Sequence, residues 1–130
     1  MRKSSLKALS PEDHRRLRAL ERRYERLRRA LARVGFLAIG TISELRLPCG
    51  NPTCRCHDDP RDRHGPYVYW TTKVKGKTVS RLLKPQEAQL YKEWVANRKT
   101  LGRTVEHMLE VSRDVAAVVL KDEKPFIPGR

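Results

Sequence analysis

A chain of 130 residues with a net charge of +14, 38% hydrophobic and 34% charged, offers material for one domain with a thin core. No apolar run approaches the ~20 residues that cross a bilayer, and the opening MRKSSLKALSPED has basic residues with no apolar stretch behind them, so neither a membrane partner nor a secretory signal is expected. The expected location is the cytoplasm, with nucleoid association in view of the charge; there, three cysteines read as metal or catalysis before disulfides.

The charge is uneven. Residues 1–36 carry +8, residues 37–66 carry zero, residues 67–84 carry +5 with no acid, and residues 85–130 carry +1. A basic footprint concentrated in this way most often faces phosphate, so nucleic acid, DNA or RNA, is the expected partner, with DNA favoured.

Residues 11–34 predict a helix. Ser10 is a good N-cap, Pro11 suits the first helical position, and Glu12 and Asp13 complement the positive helix end. Apolar residues at Leu17, Leu20, Tyr24, Leu27, Leu31 and Val34 alternate spacings of three and four, a coiled-coil seam, and Gly35 offers a stop. The other faces are rich in arginine. Arg15, Arg18, Arg22, Arg26 and Arg29 are candidate phosphate contacts, although arginine is also a good helix former and can simply fill a surface.

Between residues 37 and 47 a loose alternation, firmest over Glu44–Leu47, predicts a short strand. Residues 67–84 predict a β-hairpin: YVYWTTKV is aromatic and β-branched, KGK supplies the turn, and TVSRLL returns. Lys-Gly is a poor two-residue turn, so a bulge with Gly76 at positive φ is expected, and the face of Trp70 stays open. Lys73, Lys75, Lys77 and Arg81 make this a basic ribbon able to enter a groove or follow a backbone. Tyr67 and Tyr69 are strand aromatics, which form core or a stacking surface far more often than a nucleophile.

A long helix over residues 85–120 follows, with Trp94, Leu101, Met108 and Val115 at seven-residue intervals and a second row at Tyr91, Val105 and Val119. Two heptad helices pack against each other, or pair the chain with a second copy or a partner protein. The residues after 120 predict a loose polar tail.

The stretch LPCGNPTCRCHDDPRDRHGP, residues 47–66, separates strand from hairpin. It contains four prolines, all three cysteines and two histidines. Such a length of irregular backbone with so little to bury needs a cross-link to offset its entropy. Cys49, Cys54 and Cys56 with His64 make a closed three-thiolate, one-imidazole set, and the cofactor expected is a structural Zn2+. His57 is the alternative fourth ligand, but adjacency to Cys56 would strain its chelate. Free thiols and an iron–sulfur cluster are the rival readings; the cluster lacks a fourth cysteine.

The order CGNPTCRC, HGPYVYW and GKT resembles that of a small uncharacterised prokaryotic family of unknown function, over roughly residues 40–100. The resemblance implies a zinc-binding module whose members are sometimes found near mobile genetic elements, and it implies no activity.

No phosphate loop, paired carboxylates or activated nucleophile stands out, and Asp58, Asp59 and Asp62 read as solvated loop acids. The expectation is a single α+β domain: a coiled-coil-like basic helix, residues 11–34; a zinc-stapled loop with a short strand and hairpin, residues 37–84; and a long helix. Its expected role is non-catalytic nucleic-acid binding. The alternatives are a coiled-coil assembly protein or an accessory subunit of a mobile-element or other nucleic-acid enzyme.

Overall fold

The structure, a computed structural model, describes residues 8–120. Its elements run α1 (Pro11–Ala32), β1 (Thr41–Leu47), β2 (His64–Val74), β3 (Lys77–Leu83) and α2 (Pro85–Leu120), an α+β arrangement. The expected polar tail lies outside the described residues. The chain divides into two units, one built from α1 and the part of α2 from Thr100 onward, the other from Gly35–Lys99.

In the first unit, the Ser10 hydroxyl accepts the Asp13 N–H at 3.1 Å and Pro11 opens α1. The helix stops at Ala32, with the Arg33 N–H donating to the Ala30 carbonyl and the Val34 N–H to the Leu31 carbonyl, just before Gly35. The apolar seam of α1 is half-buried throughout. It faces α2, where Arg23 reaches Glu110 at 3.6 Å and a cleft of about 400 Å³ is lined by Leu20, Tyr24 and Val115.

The second buried row of α2 differs from the expected one. Thr104, Val111 and Val118 are buried, whereas Val105 is 41% exposed. With Leu101, Met108 and Val115 half-buried, the row that completes a three–four seam beyond Thr100 is Thr104–Val111–Val118, one residue before the expected Val105 and Val119. Polar Thr104 obscured this. Its hydroxyl donates to the Thr100 carbonyl at 2.9 Å, so it enters the interior with its hydrogen bond made.

The second unit is an antiparallel sheet in the order β1-β2-β3 with the first half of α2 across one face. Register rows set the faces. Ile42, Trp70 and Arg81 share a row, and Trp70 stacks on Tyr91 of α2 with ring centroids 4.8 Å apart. Tyr91 in turn meets Trp94, whose edge contacts Phe36. Two ion pairs tie the same side: Glu44 to Lys92, and Arg81 to Glu87. Glu87 also takes the Lys84 N–H, the acidic half of a capping box at the start of α2.

Gly40 permits the closest approach here. Its φ is +136°, and a Cβ there would sit 2.4 Å from the Thr71 carbonyl and 2.7 Å from Trp70 Nε1. The indole N–H donates to the Ile39 carbonyl at 2.9 Å.

The hairpin turn corrects the expected bulge. Val74 pairs with Lys77, leaving a two-residue turn in which Lys75 and Gly76 both have positive φ, 50° and 79°. That is the hand that suits the twist of the strands, and glycine tolerates it freely, so lysine alone bears the conformational cost. The strand irregularity lies instead in β1, where the register with β2 shifts between Leu45 and Leu47.

Candidate metal centre

The cysteine segment forms two short 3₁₀ turns, Arg55–His57 and Pro60–Asp62, between β1 and β2. Asn51 shapes its first corner. The Asn51 side-chain oxygen accepts both the Thr53 N–H and hydroxyl, and its carbonyl accepts the Cys54 N–H at 3.1 Å. This reversal returns the chain so that Cys54 and Cys56 face Cys49. Asp59 caps the second turn through Arg61 N–H at 2.9 Å and pairs with the Arg61 guanidinium, which holds its carboxyl below the usual range.

The fourth member comes from a different element. His64 is the first residue of β2 and pairs with Leu47, so strand pairing fixes its backbone. Gly65 follows at φ +120°, where a Cβ would lie 2.8 Å from the Leu45 carbonyl. Its own carbonyl accepts a hydrogen bond from Arg46. The chain thus turns into the sheet immediately beside the ligand.

The three Sγ atoms and one imidazole nitrogen all lie within 4.8 Å of one another. Cys54 Sγ and His64 Nε2 are 3.4 Å apart, and the Cys49 and Cys56 sulfurs 3.5 Å. Tetrahedral zinc with Zn–S about 2.3 Å and Zn–N about 2.0–2.1 Å requires S···S about 3.8 Å and S···N about 3.6 Å. These two separations match their edges to within a few tenths of an ångström and the others fall within 4.8 Å, so the donor set fits a four-coordinate metal site.

The thiols differ. Cys56 is only 2% exposed and accepts the Cys49 N–H at 3.2 Å. Burial pushes its thiol up to about 11. Cys54 is pulled down to about 6, first by the Cys56 backbone N–H and then by His64 and the neighbouring thiols. One thiolate in the cluster makes the next costly, because like charges repel at this range. A central cation removes that conflict and favours all three thiolates together.

His57 is not in the cluster. Its Nε2 lies 2.9 Å from the Cys49 carbonyl, an arrangement that ties the ligand loop together from outside. The cues for this supporting role are absent from the sequence, as they are for the Asn51 corner, since both depend on the closed loop.

The expected phosphate contacts separate into groups. Lys73, Lys75 and Lys77 are exposed at the hairpin end, whereas Arg81 points to the helix side and binds Glu87 at 2.9 Å. In α1, Arg15, Arg18, Arg22 and Arg26 are exposed, and Arg29 lies 3.7 Å from Glu25. A groove of about 1080 Å³ lies between the sheet and the start of α2, but its acids, Glu44 and Glu87, are both engaged in ion pairs.

The family model described as "Domain of unknown function (DUF6788)" matches residues 12–93, from the second residue of α1 through the first nine residues of α2. The chain belongs to the DUF6788 family. The matched region holds the whole Cys49–His64 segment, so the three-cysteine, one-histidine cluster lies inside the DUF6788 domain. No curated protein and no solved structure matches the chain. No helix among the described residues is long and apolar enough to cross a membrane.

Proposed function

We propose that this DUF6788 protein is a zinc-stabilised nucleic-acid-binding protein, with DNA its preferred partner, in which the ion is a scaffold and the contacts are made elsewhere. Four protein ligands leave no open position for a reacting water, which favours a structural over a catalytic ion. Three thiolates and an imidazole favour zinc over hard cations. The observation that carries the binding role is the hairpin: three exposed lysines around a two-residue turn, on a segment with five basic residues and no acid. The metal centre anchors the opposite end of β2, so this ribbon is held by its base. The arginines of α1 form a second basic surface, belonging to the other unit.

The test is binding of labelled 20-nucleotide DNA, single-stranded and duplex, across a salt series. Three phosphate contacts contribute a slope of about −2.7 in log K against log salt, or about 40-fold between 50 and 200 mM. Reversing Lys73, Lys75 and Lys77 to glutamate should remove that contribution, whereas reversing Arg98, Lys99 and Arg103 on α2 should remove less. Absence of binding to either DNA at low salt refutes the proposal.

A further inference from the structure

The sheet face turned away from α2 carries a second set of residues. Tyr67 and Tyr69 alternate with the inward-facing Val68 and Trp70, so both rings belong to this outer face. Their register partners complete it. Leu45 lies opposite Tyr67, Ser43 and Leu82 flank Tyr69, and Thr71 and Ser80 follow, their hydroxyls bonded to each other at 2.9 Å. Leu45, Tyr67 and Leu82 are 44%, 36% and 53% exposed. Next along the same face comes Lys73, with Lys75 at the turn beyond it. The acids of the sheet and its covering helix that form ion pairs, Glu44 and Glu87, serve the other side.

We infer that this outer face is a stacking platform for unpaired bases of single-stranded DNA, with Tyr67 and Tyr69 each receiving a base and Lys73 and Lys75 the adjoining phosphates. The inference rests on the nucleic-acid reading above and narrows it to one strand state. Alternate residues of a strand are about 6.8 Å apart, so two rings at successive outward positions can each meet a separate base. In a duplex the base faces are already stacked on one another and are closed to side chains. Stacking on aromatic rings combined with a basic track suits single strands of any sequence. Charge complementarity selects a polyanion over an apolar protein surface for this face, since its one charged side chain in the sheet rows is Lys73. The Thr71 and Ser80 hydroxyls bond each other, and the assignment to DNA rather than RNA follows the preference proposed above.

The experiment compares the full chain, metal-loaded, with the double variants Tyr67→Leu/Tyr69→Leu and Tyr67→Phe/Tyr69→Phe on oligo(dT), a mixed-sequence duplex and oligo(rU). Zinc content and tryptophan fluorescence report folding, since Trp70 lies on the opposite face. Loss of two stacked bases weakens oligo(dT) binding about 30-fold or more in the leucine variant. The expected pattern is that loss, with duplex binding unchanged and the phenylalanine variant near wild type. Equal oligo(dT) binding by the leucine variant, or tighter binding of duplex than of oligo(dT), overturns the platform while leaving salt-dependent binding through the lysines intact. Tighter binding of oligo(rU) overturns the assignment to DNA. Binding to none of the three at low salt overturns this inference and the nucleic-acid reading together. If the leucine variant fails to fold, the single Tyr67→Leu change at the more open position decides the question, with about 5-fold weakening expected and none refuting it.

Discussion

Removing the proposed zinc ion is the sharpest perturbation available. The Gly35–Lys99 unit, at a typical 0.05–0.15 kcal/mol per residue, would have a total stability of roughly 3–10 kcal/mol. Its buried apolar residues are Ala38, Cys56, Leu83, Ala88 and Val95, of which two are alanines and one is a proposed ligand. A structural zinc site contributes an apparent free energy of roughly 10–16 kcal/mol at neutral pH. The ion's share therefore matches or exceeds the whole stability of the unit, and the unit should not remain folded without it. Both tryptophans, Trp70 and Trp94, lie in this unit, so their fluorescence follows its unfolding without a contribution from α1. Guanidinium titrations of protein purified without added metal, before and after a strong chelator, should show a cooperative transition that the chelator abolishes. Cys54→Ser should reproduce the chelated state. Metal analysis should give one zinc per chain. Coincident titration curves, or a folded unit that contains no metal, would refute the reasoning.

The two histidines separate ligand from support: His64→Ala should lose the ion, while His57→Ala should keep it with affinity reduced about 10-fold, as measured by chelator competition. Gly40→Ala forces a Cβ against the Thr71 carbonyl and Trp70 at a positive φ, and should cost about 2–4 kcal/mol in the same titrations; a change below 0.5 kcal/mol would contradict the packing described. The Lys92 ammonium, by hydrogen bond and then by charge, lowers the Glu44 carboxyl from its ordinary 4.5. Its contribution is complete above that value and disappears as pH falls through the lower folded value. The difference in melting temperature between wild type and Glu44→Gln should therefore shrink on acidification below 4.5, acid release of metal being common to both proteins.

The clustering of Cys49, Cys54, Cys56 and His64 was legible in the sequence because it depends on local spacing: CGNPTCRC closes on itself, and His64 stands at the start of a recognisable strand. The cap at Ser10 and the seam of α1 were legible for the same reason. What the sequence concealed is governed by distant partners. Arg81 reads as one more cation of a basic ribbon, yet its row places it beneath α2 beside Glu87. Thr104 is polar and falls outside the apolar rows, yet its hydroxyl bonds within the helix and the residue is buried. The hairpin turn reads as a bulge because lysine is a poor occupant of positive φ, and strand register overrides that local preference. The faces of Trp70 and of the two tyrosines follow only once the register with β1 and β3 is known.

β1 is joined to β2 through the loop that carries the metal ligands, and it occupies one edge of the sheet. Stripping or oxidising those ligands does more than loosen a loop. It releases the strand that shields one side of β2, and leaves the aromatic sequence YVYW with an unsatisfied row of backbone donors and acceptors. Such an edge is a template for pairing with another chain. On the proposed zinc site, the ion would thus also guard against self-association, and metal-stripped preparations should precipitate.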